Sequence, residues 1–474
     1  MKHRLSHAHG MLHAKLQLPT KRFLMSNNDS QPESQARQLF KMTLPMLFGV
    51  LSLMSFQLVD SIFIGQLGVD PLAALAFTIP MYQAVIGIQV GLGIATTAVI
   101  SQTLGAGDSD RAAKLGGVVL LIGALLIALL CLLLWIFRHP IVLGLGADPA
   151  LLPMIDSFWI PWLCSAWVGA MLYFGYSLCR AHGNTMLPGM VMVATSLFNI
   201  VLDPIYIFTF NWGLPGAALA TLTSFTLGAL VVYPKLLKRH WFSFQFVNFS
   251  VANAARQLGA IMGPAMISQM LPAISSTLAT ALVAGFGASA VAAWGLGTRM
   301  EFFSIVVVLA LTMSMPPMVG RYLGAGEIDK IRSLVKLAIR FVLVWQLAIA
   351  GIWLASSGLV SDIFADDASV SSILEDYLLR VPISYGALGT CMIMVSVCNA
   401  MNLPMRALTI SGLRLFACYL PFLWLGAKLA DMEGLFSGAL IGNLAAGIMS
   451  WTLYRQGIRQ RLTHAIKETQ ATNA

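Results

Sequence analysis

The chain has 474 residues, of which 58% are hydrophobic and only 10% are charged. Soluble domains carry roughly 25% charged residues, so this composition excludes a soluble globular protein. The formal net charge of +9 does not call for nucleic acid, because the basic residues gather in the segments between long apolar stretches.

Residues 1–38 are polar and read as a disordered cytoplasmic tail. Its histidines, His3, His7, His9 and His13, fit a solvated tail better than a metal site. Met25 is an alternative start, and no cleavable signal sequence is expected. A helix needs about 20 apolar residues to span a bilayer. Twelve stretches qualify, at 43–66, 75–101, 113–137, 157–180, 186–209, 213–236, 257–284, 290–318, 331–355, 378–400, 406–428 and 434–454. The expected fold is therefore an all-α membrane protein with twelve transmembrane helices.

Span one holds Pro45 and, about seventeen residues into the span, Asp60. A carboxylate at that depth is costly unless protonated, paired or hydrated, and its default reading is function. Fifteen residues at about 100° each bring Pro45 close to the same helix face as Asp60. A proline inside a helix removes a hydrogen bond and permits a bend, which makes span one the natural moving part. Gln57 on span one, Gln89 and Tyr82 on span two and Tyr173 on span four are candidates to line a cavity.

Span five reads Leu197-Phe198-Asn199-Ile200-Val201-Leu202-Asp203-Pro204. Asn199 and Asp203 are four apart and share a helix face. Span six offers Gly213, Gly216 and then the hydroxyl of Thr221. If these faces converge on Asp60, two carboxylates, an amide and a hydroxyl meet in an apolar setting. Two carboxylates that close repel when both are ionised, so they should share a proton or a cation. A Na⁺ ion at Asp60, Asn199 and Asp203 is the alternative to a proton, and the oxygens alone do not separate the two.

The linker 237–256 carries Lys238, Arg239 and His240. Span eight brings Arg299 and Glu301 into the membrane, two apart and so on different faces, with a structural or gating role expected. Met266, Met270, Met313, Met315, Met392 and Met394 give the second half a soft interior. Cys131, Cys164, Cys179, Cys391, Cys398 and Cys418 all fall within apolar spans and read as buried thiols. With the N-terminus inside, the inside segments hold most of the Lys and Arg. The outer segment 356–377 holds Asp362, Asp366, Asp367, Glu375 and Asp376 with no Lys or Arg. This positive-inside bias places both termini in the cytoplasm.

The chain is a duplication. Thr103-Leu104-Gly105-Ala106-Gly107 matches Tyr322-Leu323-Gly324-Ala325-Gly326 at an offset of 219, which also pairs Pro45 with Pro264, Gly68 with Gly287 and Cys179 with Cys398. Six helices per half make the repeats parallel, so two six-helix lobes should flank a V-shaped central cleft. The expected division is a lobe at 39–236, the linker, a lobe at 257–455 and a cytoplasmic tail at 456–474. Asp60 pairs with Ala279, so the ionisable machinery lies in the first lobe.

Pro45, the run Val59-Asp60-Ser61-Ile62-Phe63-Ile64-Gly65, Gln102-Thr103-Leu104-Gly105-Ala106-Gly107, Asn199 to Pro204 and Gly216 to Thr221 resemble the multidrug and toxic compound extrusion (MATE) family, in its DinF-like branch. The resemblance covers residues 40 to 455. It implies an antiporter of the bacterial inner membrane that exports small organic, often cationic, compounds against inward H⁺ or Na⁺, with no other cofactor. It implies coupling at Asp60, Asn199, Asp203 and Thr221 with bending at Pro45. H⁺ is the expected coupling ion, and a monomer the expected state. The NorM-like branch uses acids in the seventh and tenth helices, and spans 257–284 and 378–400 contain no Asp or Glu. The alternative is a flippase for lipid-linked precursors, for which cationic cleft residues would be expected. A channel is disfavoured by the repeat and the buried acids. No nucleophile motif, HExxH or phosphate loop points to an enzyme.

Overall fold

The computed structural model describes residues 34–365 and 367–472, with side chains as far as residue 460. The expectations for the N-terminal tail before residue 34, its four histidines and the Met25 start lie outside the described residues, as does Asp366.

Every regular element among the described residues is helical. The first lobe comprises α1 (Gln35–Gly65), α2 (Val69–Gly105), α3 (Ser109–Ile136), the short α4 (Arg138–Gly144), α5 (Leu152–Ala181), α6 (Met186–Pro204) and α7 (Gly213–Lys238). The second comprises α8 (Val251–Ala284), α9 (Ala288–Ser304), α10 (Val306–Gly324), α11 (Ile328–Phe364), α12 (Ala368–Arg380), α13 (Tyr385–Ala400), α14 (Pro404–Leu413) and α15 (Leu420–Thr472). Eleven helical stretches are long and apolar enough to cross a membrane. The last of them, Pro404–Gln460, contains two crossings, because the backbone leaves the helix at Ala430 (φ −152°) and Asp431 (φ 48°). This gives twelve spans in two lobes.

Several boundaries differ from the sequence reading. Helix α1 takes in residues 35–38, where Ser34 Oγ accepts from the backbone N–H of Arg37 and starts the helix. Helix α15 continues to Thr472 through the segment read as a tail. The predicted outer loop 356–377 is mostly helix, since α11 runs to Phe364 and α12 starts at Ala368 under an Asp367 cap. Span eight is interrupted at Ile305, between α9 and α10. All six cysteines are free, but Cys164 is exposed and Cys131 half-buried. Both lie on first-lobe helices, Cys164 on α5 and Cys131 on α3, where the Cys131 thiol reaches the Leu163 carbonyl of α5 at 3.8 Å.

The duplication is visible in the backbone. Helix ends at Gly65 and Ala284, Gly105 and Gly324, and Ala181 and Ala400 are each 219 residues apart. The turns between them repeat as well, with φ of 116° at Gly68 and 101° at Gly287, and 79° at Gly183 and 55° at Asn402. Glycine and asparagine tolerate this left-handed region best.

The lobes exchange the first turns of their leading helices. Leu39 and Met42 of α1 are buried in a second-lobe core with Leu311, Met315 and Met394. Their repeat mates Leu258 and Ile261 of α8 are buried in the first-lobe core. Thr43 Oγ and Ser314 Oγ lie 2.7 Å apart and hydrogen-bond between α1 and α10. The linker folds back on the first lobe, where Ser243 N donates to Ala113 O at 2.9 Å and Lys114 Nζ to Val247 O at 3.3 Å.

Candidate functional site

Helices α6 and α7 bring Asn199, Asp203 and Thr221 together. Asp203 is fully buried and Asn199 is 2% exposed. With its amide nitrogen toward the carboxylate, Asn199 donates to Asp203 Oδ2 at 2.9 Å. Its oxygen then accepts from Thr221 Oγ1 at 3.1 Å and from the Thr221 backbone N–H at 3.2 Å. Asn199 therefore acts as a bridge that uses both ends of its amide. Thr221 Oγ1 also lies 3.1 Å from the carbonyl of Ala217, so its single proton has two acceptors.

Pro204 follows the acid, and the helix then widens into a π-helical turn at Ile205–Thr209, in which Phe210 N donates to Ile205 O at 2.9 Å. A proline cannot donate to the carbonyl four residues back, and a π-turn is a common local answer and a frequent mark of a functional site. Gly216 permits this arrangement, because a Cβ there would press on the Tyr206 carbonyl at 2.7 Å.

Asp60 of α1 faces this group closely enough for the two carboxylates to interact electrostatically. Asp60 Oδ1 and Asp203 Oδ1 are both buried without a hydrogen-bond partner. An unpaired carboxylate oxygen removed from water carries a desolvation cost of about 1–3 kcal/mol or more. The sequence-predicted quartet of Asp60, Asn199, Asp203 and Thr221 thus gathers in one lobe. Buried acids left partly unpaired are a poor source of fold stability.

Pro45 lies inside α1 and packs where α6 comes closest, since a Cβ on Gly189 would overlap the Pro45 carbonyl. The turns before Pro45 are anchored in the second lobe, while the turns after it pack on α6 and carry Asp60. Among the predicted cavity residues, Tyr82 is exposed and interacts electrostatically with Asp60. Gln57 is exposed, and Gln89 and Tyr173 are half-buried. The Tyr173 ring also supports the guanidinium of Arg180, 5.0 Å from the ring centroid.

Arg299 is exposed, whereas Glu301 joins a polar group in the second lobe. Tyr377 donates to Glu301 Oε2 at 3.1 Å, and the Tyr377 and Tyr385 hydroxyls are 3.4 Å apart. Arg414 and Tyr419 also interact with Glu301 electrostatically. Sequence reasoning took Arg299 and Glu301 as the charged pair of this lobe and passed over Arg414. A basic residue eight positions into the apolar span 406–428 was the signal available.

Comparison with known proteins agrees with this architecture. The MatE family model matches twice, at residues 45–205 and 264–425, and the two starts are separated by the same 219 residues as the repeat. The chain is 32% identical over 445 residues to the FAD transporter of Shewanella oneidensis, covering 92% of this chain and 96% of that protein. It is 23% identical over 439 residues to the multidrug export protein MepA of Staphylococcus aureus, covering 90% and 95%. The crystal structure of the Vibrio cholerae MATE transporter VcmN in its bent form is 56% identical, with a TM-score of 0.89, over 90% of this chain and 97% of that one.

Proposed function

Because the chain belongs to the MatE family of membrane transporters, we propose that it is a proton-coupled antiporter exporting small organic molecules by alternating access. The observation that carries this reading is the pairing of Asp60 with the Asn199–Asp203–Thr221 group. Each carboxylate there keeps one buried oxygen without a partner. A proton needs a single acceptor, whereas hard metal cations gather about six oxygens.

With both acids ionised the pair repels, and Asp60 offers charge to a cationic substrate. A proton entering from outside neutralises the pair and removes that counter-charge. Asp203 stays held by Asn199, so the change falls on Asp60 and on α1. Helix α1 bends near Pro45, between its anchored first turns and its mobile remainder, and the substrate is released outward. The membrane potential adds about 2.3 kcal/mol per charge per 100 mV. Basic inner segments support cytoplasmic termini in a bacterial inner membrane.

Two substrate classes are in view. The buried acids and the likeness to MepA favour organic cations, and the likeness to an FAD transporter favours a flavin dinucleotide. The test uses everted vesicles with ethidium and FAD as separate probes, under an imposed pH gradient and then an imposed Na⁺ gradient. The pH gradient should drive transport of one probe, and Asp60→Asn should reduce that at least tenfold. Transport driven by Na⁺ alone would replace the ion, and undiminished transport by Asp60→Asn would overturn the assigned site.

A further inference from the structure

The C-terminal ends of α2 and α10 meet in a seam whose two halves are copies of each other. A Cβ on Gly105 would overlap the Arg321 backbone, and one on Gly324 would overlap the Gln102 backbone. Gln102 and Arg321 are repeat mates, as are Gly105 and Gly324. Ser101, in the same seam, is fully buried against Gly320.

Two polar contacts flank the seam. Asn402 Nδ2 donates to Gln102 Oε1, and Arg321 Nη2 donates to the carbonyl of His182. These contacts fall within one residue of equivalent places in the repeat, since His182 corresponds to Met401. Asn402 corresponds to Gly183, and a Cβ on Gly183 would lie 3.1 Å from Arg321 Nη1. In each case the end of one lobe's second span grips the turn after the other lobe's fourth span. Both turns are left-handed, at Gly183 and Asn402. The ring of His182 stacks on Trp241 of the linker at 4.5 Å, so the linker is tied to the same place.

The seam closes the end of the molecule where α1 begins. Asp60, five residues from the last residue of α1, lies toward the opposite end. We propose that Gln102–Asn402 and Arg321–His182 form a paired latch that holds this end of the cleft shut, and that the latch parts each time the cleft opens there. The proposal rests on the alternating-access reading above, but on neither the coupling ion nor the substrate. Its chemistry suits a reversible contact. The seam itself is tight helix packing on small residues, while the polar groups at its edge can exchange protein partners for water.

The test is reversible cross-linking of Gln102→Cys/Asn402→Cys in a Cys164→Ser background, assayed in vesicles with ethidium and FAD. Oxidation should lower transport at least tenfold in the double variant and leave either single variant unchanged, and a reductant should restore it. Recovery on reduction shows that the protein is folded. Full transport by protein whose cross-link is verified by mass would overturn the latch. Absence of gradient-driven transport in the parent would instead overturn the antiport reading. A second measurement needs no transport. N-ethylmaleimide labelling of Ser101→Cys should speed up at least fivefold when Arg321→Ala is added and return toward the parent rate with Arg321→Lys. A labelling rate unmoved by Arg321→Ala would also reject the latch.

Discussion

Asn199 is the residue on which the geometry of the acid pair depends. It spends both ends of its amide, one on Asp203 Oδ2 and one on Thr221, so no other group needs to move for Asp203 to be held. Asn199→Ala removes the donor from a fully buried carboxylate. Coupled transport should fall about tenfold or more, a loss of roughly 1.4 kcal/mol or more, while expression is retained. Thr221→Val should cost less, because the Thr221 backbone N–H still reaches the amide oxygen at 3.2 Å. Initial rates of probe efflux under a fixed pH gradient rank the two. A larger effect from Thr221→Val would mean that the hydroxyl, not the amide, organises the site. The Asn199 and Asp203 spacing was readable from sequence because i and i+4 share a helix face. The direction of the amide was not, since it depends on a partner on another helix.

Helix α1 is one continuous element with two allegiances. Its first turns are buried with Leu311 and Met315 in the second lobe, and its later turns pack on α6 in the first. Pro45 stands at the change, where it cannot donate to the carbonyl of Lys41. Pro45→Ala should restore that hydrogen bond and stiffen α1. Transport should slow several-fold with no loss of thermal stability, and an unchanged rate would show that α1 need not bend there. Gly189→Val should behave differently. Its side chain would press on the Pro45 carbonyl, a backbone atom that cannot rotate away. A stability loss of about 1–3 kcal/mol is expected, read as a lower midpoint in detergent thermal unfolding. A midpoint equal to the parent's would contradict the close α1–α6 packing. The proline was evident from sequence as a helix irregularity, but its place at the lobe boundary was not.

At the scale of the whole molecule, the exchanged first turns make each lobe incomplete without the other. Leu39 and Met42 finish the second-lobe core, and Leu258 and Ile261 finish the first. Severing the chain between Val247 and Asn248 should therefore leave two pieces that find each other. Co-expressed halves are expected to co-purify and to retain transport, while each half alone accumulates poorly. Halves that accumulate normally when expressed singly would show that the exchanged turns contribute little. Under the alternating-access proposal, the same exchange would keep the two lobes joined as they tilt, since the first turns of α1 and α8 cross between them.

The sequence by itself determined the class, the number of spans, the duplication and the positions of the buried acids. These follow from local chemistry. Apolar runs of membrane length, a fixed offset between repeats, and a carboxylate deep in a span are visible one residue at a time. The tertiary structure alone decided which lobe buries the first turns of α1. It also decided which way Asn199 turns, that Tyr377 donates to Glu301, and that the repeat closes on itself at Gln102 and Arg321. Each of those is a contact between residues far apart in the chain, fixed by how helices pack and not by what any one helix contains.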